Sequence, residues 1–325
     1  LTRAQPSLSL RRVTKQSKIV LPGGAGLVGQ NLVVRLKERG YSNLVVLDKH
    51  ETNLGILRRL HPDITTELVD LAEPGAWQQH FAGADVVVML QAQIGAKDAA
   101  PFHRNNVQAT ERVLDAIRQH RVGYLVHISS SVVQSVASDH YTRTKREQEA
   151  IVVASGIKHI VLRPTLMFGW FDRKHLGWLS RFMRRVPVFP IPGHGRYMRQ
   201  PLYVGDFCNV IIRCIETRPS GEAINISGVE RIDYVDMIRA IRTAAHARTL
   251  ILNIPYTFFD VLLRTWALFD SDPPFTAEQL KALTAGDEFE VIDWPGRFGV
   301  SATRFNDALK ETFQHPTYSS VVLDF

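Results

Sequence analysis

The sequence predicts an α/β chain: a doubly wound parallel sheet with a smaller C-terminal α+β lobe. Three observations lead there. Strand-like apolar runs alternate with helix-periodic segments from residue 18 to about residue 155, the pattern of a parallel sheet covered on both faces. The run Ile19-Val20-Leu21 opens into a glycine-rich turn, Pro22 to Gly29, and then a helical segment. Beyond Gly169 the alternation loosens, which divides the chain into an N-terminal extension (1–17), a sheet domain (18–170 with 199–228) and a second lobe (171–198 with 229–325).

Gly23, Gly26 and Gly29 stand between a strand and a helix whose Leu32, Val33 and Leu36 recur at helical spacing. In such a turn the backbone passes close to a pyrophosphate, with glycine needed where a side chain would block the ligand. The helix start, Leu27 and Val28, turns free N–H groups and the positive dipole end toward the phosphates. Val45-Val46-Leu47-Asp48 supplies a second strand ending in an acid about 20 residues on, placed to accept ribose hydroxyls. Together these predict a dinucleotide site. Asp48 favours NAD over NADP because it repels a 2′-phosphate, a preference that Lys49 softens.

A helical segment through Leu54, Leu57 and Leu60 leads to a third strand, Thr65 to Val69, ending at Asp70-Leu71, expected near the adenine. Ala84 to Leu90 reads as a fourth strand, with Gln91 at its end facing the cofactor. Asn105 to Arg118 is helical, and Gly123 to Ser131 is a fifth strand running into three serines. In the second lobe, His175 to Arg185 reads as a basic helix, followed by the Pro/Gly-rich Val186 to Gly195. Residues 202–216 return as a helix and Gly221 to Ser227 as a late strand. Pro255 to Phe269, Thr276 to Leu283 and Pro295-Gly296-Arg297 complete the lobe.

Composition narrows the function classes. The 325 residues are 45% hydrophobic and 22% charged, an ordinary globular balance with ample core. The net charge of +7 is spread without a dominant basic block, which favours a small anionic substrate over nucleic acid. Cys208 and Cys214 are expected as reduced thiols of a cytoplasmic protein. The twelve histidines do not cluster at metal-ligand spacing, so no metal site is predicted. Tyr256 to Phe269 contains Asp260 and Arg264 and is too short and too charged to span a bilayer. The basic residues 1–17 read as a loose extension rather than a targeting presequence.

The chemistry follows the fifth strand. Tyr141 and Lys145, four residues apart, share one face of a helix. A phenol is a poor base at neutral pH, and a neighbouring ammonium stabilises its phenolate. Ser131, at the end of the strand, is placed to hydrogen-bond the same substrate hydroxyl. The three residues form a candidate triad for moving a carbinol proton while hydride leaves for nicotinamide.

The chain resembles the extended short-chain dehydrogenase/reductase family of NAD-dependent sugar-nucleotide epimerases and dehydratases, over roughly residues 18–310. The match rests on Gly23, Gly26 and Gly29 (TGxxGxxG, with Pro22 in place of Thr), Asn106 to Thr110 (NVxGT), Ser130-Ser131, Tyr141 with Lys145 (YxxxK), Leu162 to Gly169 (LRPxxVYG) and Arg199 to Asp206 (RxxxYVxD). The resemblance implies a Rossmann-type NAD domain and catalytic Ser131, Tyr141 and Lys145, the last two also contacting the cofactor. It further implies Arg199, with Arg297 as a second candidate, on the diphosphate of a nucleotide sugar, and a homodimer formed through the helices at Asn105–Arg118 and Tyr141–Val153.

Two departures shape the expected reaction. Val132-Val133 stands where dehydratases carry Asp-Glu, which disfavours dehydration. Only nine residues separate Ser131 from Tyr141, shorter than the Pro-containing loop that helps wall the family's sugar pocket. The expectation is an NAD-dependent epimerase of a nucleotide-diphosphate sugar, acting at C4 through a transient 4-keto intermediate. Two alternatives stand beside it: a one-way reductase or dehydrogenase of a keto sugar or lipid-like substrate, and a non-catalytic dinucleotide-binding structural protein.

Overall fold

The structure, a computed structural model, describes residues 12–266, Leu280 and residues 292–324. Six strands come from the first half of the chain: β1 (Ile19–Pro22), β2 (Leu44–Asp48), β3 (Thr65–Leu68), β4 (Val86–Met89), β5 (Leu125–Ile128) and β6 (His159–Pro164). Then follow β7 (Met167–Phe168), β8 (Val188–Pro192), β9 (Met198–Arg199), β10 (Leu202–Tyr203), β11 (Ala223–Ile226), β12 (Ile232–Asp233) and β13 (Leu250–Ile254). Seven of them form one parallel sheet in the order β11-β6-β5-β4-β1-β2-β3. β1, β4 and β5 are buried along their whole length, which is why β1 and β4 read as unbroken apolar runs and β5 is interrupted only by His127.

The helices are α1 (Leu27–Glu38), α2 (Glu51–Leu60), α3 (Ala99–Phe102), α4 (Ala109–Gln119), α5 (His140–Ala154), α6 (Leu176–Met183), α7 (Val204–Thr217), α8 (Tyr234–Ala244) and α9 (Tyr256–Trp266), with Trp294–Phe298 and Phe305–Gln314 near the end. One face of the sheet buries Ile19, Leu21, Val86, Val88 and Ile160 against Leu32 and Leu36 of α1 and Phe207 and Ile211 of α7. The other buries Val20, Val87, Met89 and Leu125 against Val113 and Ile117 of α4 and Val152 of α5. A separate cluster, including Phe168, Met183, Ile191, Ile238 and Leu309, forms the core of the second lobe. Arg35 of α1 ties the two together: its Nη2 donates to Tyr203 Oη at 2.8 Å and to Glu311 Oε1 at 2.9 Å, with Trp170 under the guanidinium.

The structure departs from the sequence reading mainly at element ends. The helix expected from Asn105 begins earlier, at α3, and passes through a π-helical turn, His103–Gln108, before α4. Inside that turn Asn106 accepts from Gln93 N (2.7 Å) and donates to Thr144 Oγ1 (3.0 Å), tertiary bonds that a helical periodicity does not report. The fifth strand stops at Ile128. The Pro/Gly-rich segment contains β8, paired in parallel with β13. Residues 1–11, 267–279 and 281–291 and Phe325 lie outside the described residues, and with them the end of the Pro255–Phe269 segment and most of Thr276–Leu283.

The strand order makes β1 the switch point: the chain builds outward through β2 and β3, then returns to place β4 on the other side. A crevice therefore opens beyond the C-terminal ends of β1 and β4. Gly23 sits there at φ +75°, and a Cβ on it would lie 2.3 Å from Gln91 N. The need for glycine at this position comes from the neighbouring strand end as well as from any ligand. A Cβ on Gly29 would lie 2.2 Å from Gly24 O, so α1 packs directly on the turn. Gly29→Ala is expected to destabilise the fold by about 2 kcal/mol, as overpacking does, read as a lower urea midpoint with an unchanged m-value.

Candidate active site

The C-terminal sheet edge gathers most of the residues singled out from the sequence. At the turn, Asp48 Oδ2 accepts from Ala25 N (2.9 Å) and Oδ1 from His50 N (3.0 Å), so the acid braces the loop and each oxygen keeps a lone pair for a ribose hydroxyl. Lys49 is turned to Asn105. Beyond β3, burial opposes ionisation of Asp70, but the Ala72 N–H and the Arg104 guanidinium outweigh it and hold the carboxyl below its usual range. Leu71 is buried beside it. Gln91, buried at the end of β4, donates to Thr110 Oγ1, and its Oε1 has no partner among the described residues.

Asp139 caps α5, accepting from Thr142 N at 2.9 Å, and this starts the helix one residue before Tyr141. Burial raises the Tyr141 pKa, opposed by a hydrogen bond with the Ser130 side chain and reinforced by the Asp139 charge, so the phenol keeps its proton at neutral pH. Ser130, the first of the double serine, is the serine that acts on the phenol here. Ser131 opens a short 3₁₀ turn, Ser131–Gln134. Ser129 is taken by Glu149, whose Oε2 accepts its hydroxyl at 2.6 Å while Arg163 pairs with the same carboxylate. The double serine lies just beyond the end of β5, ahead of the helix that carries Tyr141.

Lys145 is completely buried. Its Nζ donates to Ile128 O (3.0 Å) and Gln148 Oε1 (2.6 Å), and desolvation, partly offset by Glu149, pushes its pKa down to about 7. Its ammonium faces β5, and the influences on the phenol are burial, Ser130 and Asp139. Burial therefore raises the Tyr141 pKa in place of the expected lowering, while two acceptors hold the lysine head against the strand. His127, also fully buried, is kept neutral by desolvation and then by the Lys145 charge.

Two arginines part company. Arg199 lies in β9, near the buried Tyr234 phenol of α8, on which its charge acts. Arg297 pairs with Glu222, the residue just before β11, and so stands at the N-terminal edge of the sheet, opposite the crevice. The structure brings Arg297 together with none of the other candidates. Cys208 and Cys214 are free and buried, their thiols pushed up to about 12 by desolvation, which makes them poor nucleophiles. Among the described residues no group of His, Cys, Asp and Glu is arranged to hold a metal, and no helix is long and apolar enough to cross a membrane.

A family model, described as the NAD dependent epimerase/dehydratase family, matches residues 19–227. The chain belongs to this family. Among curated relatives, the 4-hydroxy-2-methyl-3-oxo-4-farnesyl-3,4-dihydroquinoline-1-oxide ketoreductase of Stigmatella aurantiaca is 26% identical over 254 residues, covering 72% of this chain and 75% of its own. The 2-alkyl-3-oxoalkanoate reductase of Stenotrophomonas maltophilia is 26% identical over 299 residues, covering 81% and 89%. Among solved structures, the UDP-glucuronic acid 4-epimerase of Bacillus cereus in complex with NAD superposes with a TM-score of 0.67 at 21% identity, over 92% of this chain and 98% of that one.

This family member has the features that NAD requires. A Cβ on Gly26 would meet no protein atom closer than 3.8 Å, unlike Gly23, Gly24 and Gly29, so the space over Gly26 is open for a ligand to pass. Gly26 also caps α1 without a side chain, leaving the N–H groups of Leu27 and Val28 for an anion. Gly26→Ala should cost about 1 kcal/mol of stability, the difference between glycine and alanine at a helix N-cap. It should weaken NAD binding at least tenfold by titration calorimetry.

The lysine has its own signature. Below pH 7 Lys145 is charged in native and unfolded chains alike and its burial cost applies in full. Between the native value of about 7 and the ordinary 10.5 the unfolded chain alone binds the proton, so this residue makes stability rise with pH. Wild type should therefore gain stability against Lys145→Met as pH is raised from 7 to 10 in urea melts; a constant gap would contradict the depressed pKa.

Proposed function

We propose that this protein is an NAD(H)-dependent ketoreductase of an amphiphilic, lipid-like substrate. The observation that carries the reading is the Tyr141 phenol, kept protonated by burial at the start of α5, next to the end of β5. A phenol that burial keeps neutral is ready to give a proton, which ketone reduction demands. The dinucleotide, bound reduced, supplies the hydride. Tyr141 gives the proton to the ketone oxygen, and the Ser130 hydroxyl polarises that oxygen by a second hydrogen bond. Lys145 orients the ribose. The loops after β4, β5 and β6 expose Ile94, Val136 and Leu166, an apolar rim that suits an alkyl chain. Both curated relatives above reduce ketones on such substrates by name.

C4 epimerisation of a nucleotide-diphosphate sugar is the second reading, and Arg199 favours it. The arginine lies in the segment that resembles the family's diphosphate-binding RxxxYVxD. Epimerisation uses the same residues in both directions, Tyr141 first accepting the hydroxyl proton and then returning it to the 4-keto sugar. A homodimer through α4 and α5, with Val153 exposed on α5, accompanies either reading.

The purified protein should be denatured to identify any released dinucleotide. The intact protein should then be incubated with NADH and a panel of long-chain 3-keto compounds and UDP- and dTDP-sugars. Consumption of NADH with the keto compounds is expected. Sugar interconversion at C4 with no net NADH change would replace the reductase by the epimerase. Tyr141→Phe should cost at least ~10²-fold in turnover with dinucleotide binding intact. Ser130→Ala should cost more than Ser131→Ala, and the reverse order would reassign the hydroxyl.

A further inference from the structure

Behind Tyr141, between β4–β5 and the helices α4 and α5, lies a polar layer closed from solvent. Gln148 is at its centre and is completely buried. Its Oε1 accepts from Lys145 Nζ at 2.6 Å and its Nε2 donates to Thr110 Oγ1 at 2.8 Å. Thr110 spends its one proton on Asn106 O, at 2.6 Å in the π turn, and can only accept from Gln148 and from Gln91 Nε2. That settles which way the Gln148 amide points. Flipped, it would set an NH₂ group against the lysine and an oxygen against a hydroxyl with no proton to give.

Lys145 thus has two neutral acceptors, the Ile128 carbonyl and the Gln148 amide oxygen. The titratable groups around it are Tyr141 and Glu149 on its own helix, Glu149 being paired with Arg163 of β6, and His127 of β5. On the side of α4 and the π turn the layer is uncharged, formed by Thr110 and Asn106. An ammonium in a dry pocket keeps its proton only as far as its acceptors stabilise it.

We propose that Gln148 is a positioning residue for Lys145: its oxygen, oriented by Thr110, keeps the ammonium charged and seated at the sheet edge from which it reaches the dinucleotide. The proposal rests on Lys145 serving the dinucleotide, the role assigned to it above. Through Thr110 the same layer links Lys145 to Gln91, whose backbone abuts the glycine turn, so the lysine and the turn are held in one hydrogen-bonded unit.

Two variants test this in the full-length protein: Gln148→Leu, which removes the acceptor, and the near-isosteric Gln148→Glu, which replaces it with a carboxylate. The Lys145 titration is followed by NMR of ¹³Cε-labelled lysine, assigned with Lys145→Met, without substrate or turnover. Gln148→Leu should lower the titration midpoint by about one pH unit and Gln148→Glu should raise it by about as much. The pH at which NADH affinity is lost on the alkaline side should move the same way in each. A merely structural role would lower the melting temperature of both variants without opposite shifts. Should Gln148→Leu fail to fold, the upward shift in Gln148→Glu decides alone. An unmoved Lys145 titration overturns the proposal whatever the substrate. A moved titration with unmoved NADH binding overturns it in another way, by showing that Lys145 does not serve the dinucleotide.

Discussion

Gly23 meets Gln91 with no room for one carbon atom between them, and the site is arranged around that contact. It sets the ends of β1 and β4 side by side where the strand order reverses. The glycine turn, the start of α1, and the residues after β2, β3, β4 and β5 all converge there. A side chain at the end of β4 must turn away from the turn, and that of Gln91 turns inward to Thr110.

From that point the structure works by desolvation. Tyr141, Lys145 and His127 are each moved from their ordinary pKa chiefly by burial, and in the direction that favours the neutral form. The apolar packing of the sheet against α4 and α5 encloses this layer, and the layer's hydrogen bonds decide which of its members keeps a proton. Glu149, shared between Ser129 and Arg163, anchors the same helix one residue beyond Gln148.

Much of the sheet was legible because buried parallel strands are mostly apolar: β1 and β4 are so along their whole length, while β2 ends in Asp48 and β5 carries the buried His127. The glycine turn was legible because strand, turn and helix adjoin in sequence. What escaped depends on hydrogen-bond partners that no periodicity reports. The π turn is fixed by Asn106 reaching Gln93 and Thr144, and the direction of Lys145 by Ile128 and Gln148. Ser130 and Ser131 are chemically identical, and no local signal separates their roles. Arg297 carries the residue type expected for a diphosphate, but its pairing with Glu222 is a tertiary fact without a local signal.

Arg35 limits how such a protein can diversify. It stands on the helix that begins at the dinucleotide turn, yet its partners, Tyr203, Glu311 and the ring of Trp170, belong to segments that lead into or close the second lobe. Exchanging the lobe for one that lacks them would leave a buried guanidinium without its acceptors, a strongly destabilising state. The lobe is therefore not a cartridge: a graft that changes the substrate must carry these three residues or replace Arg35 at the same time.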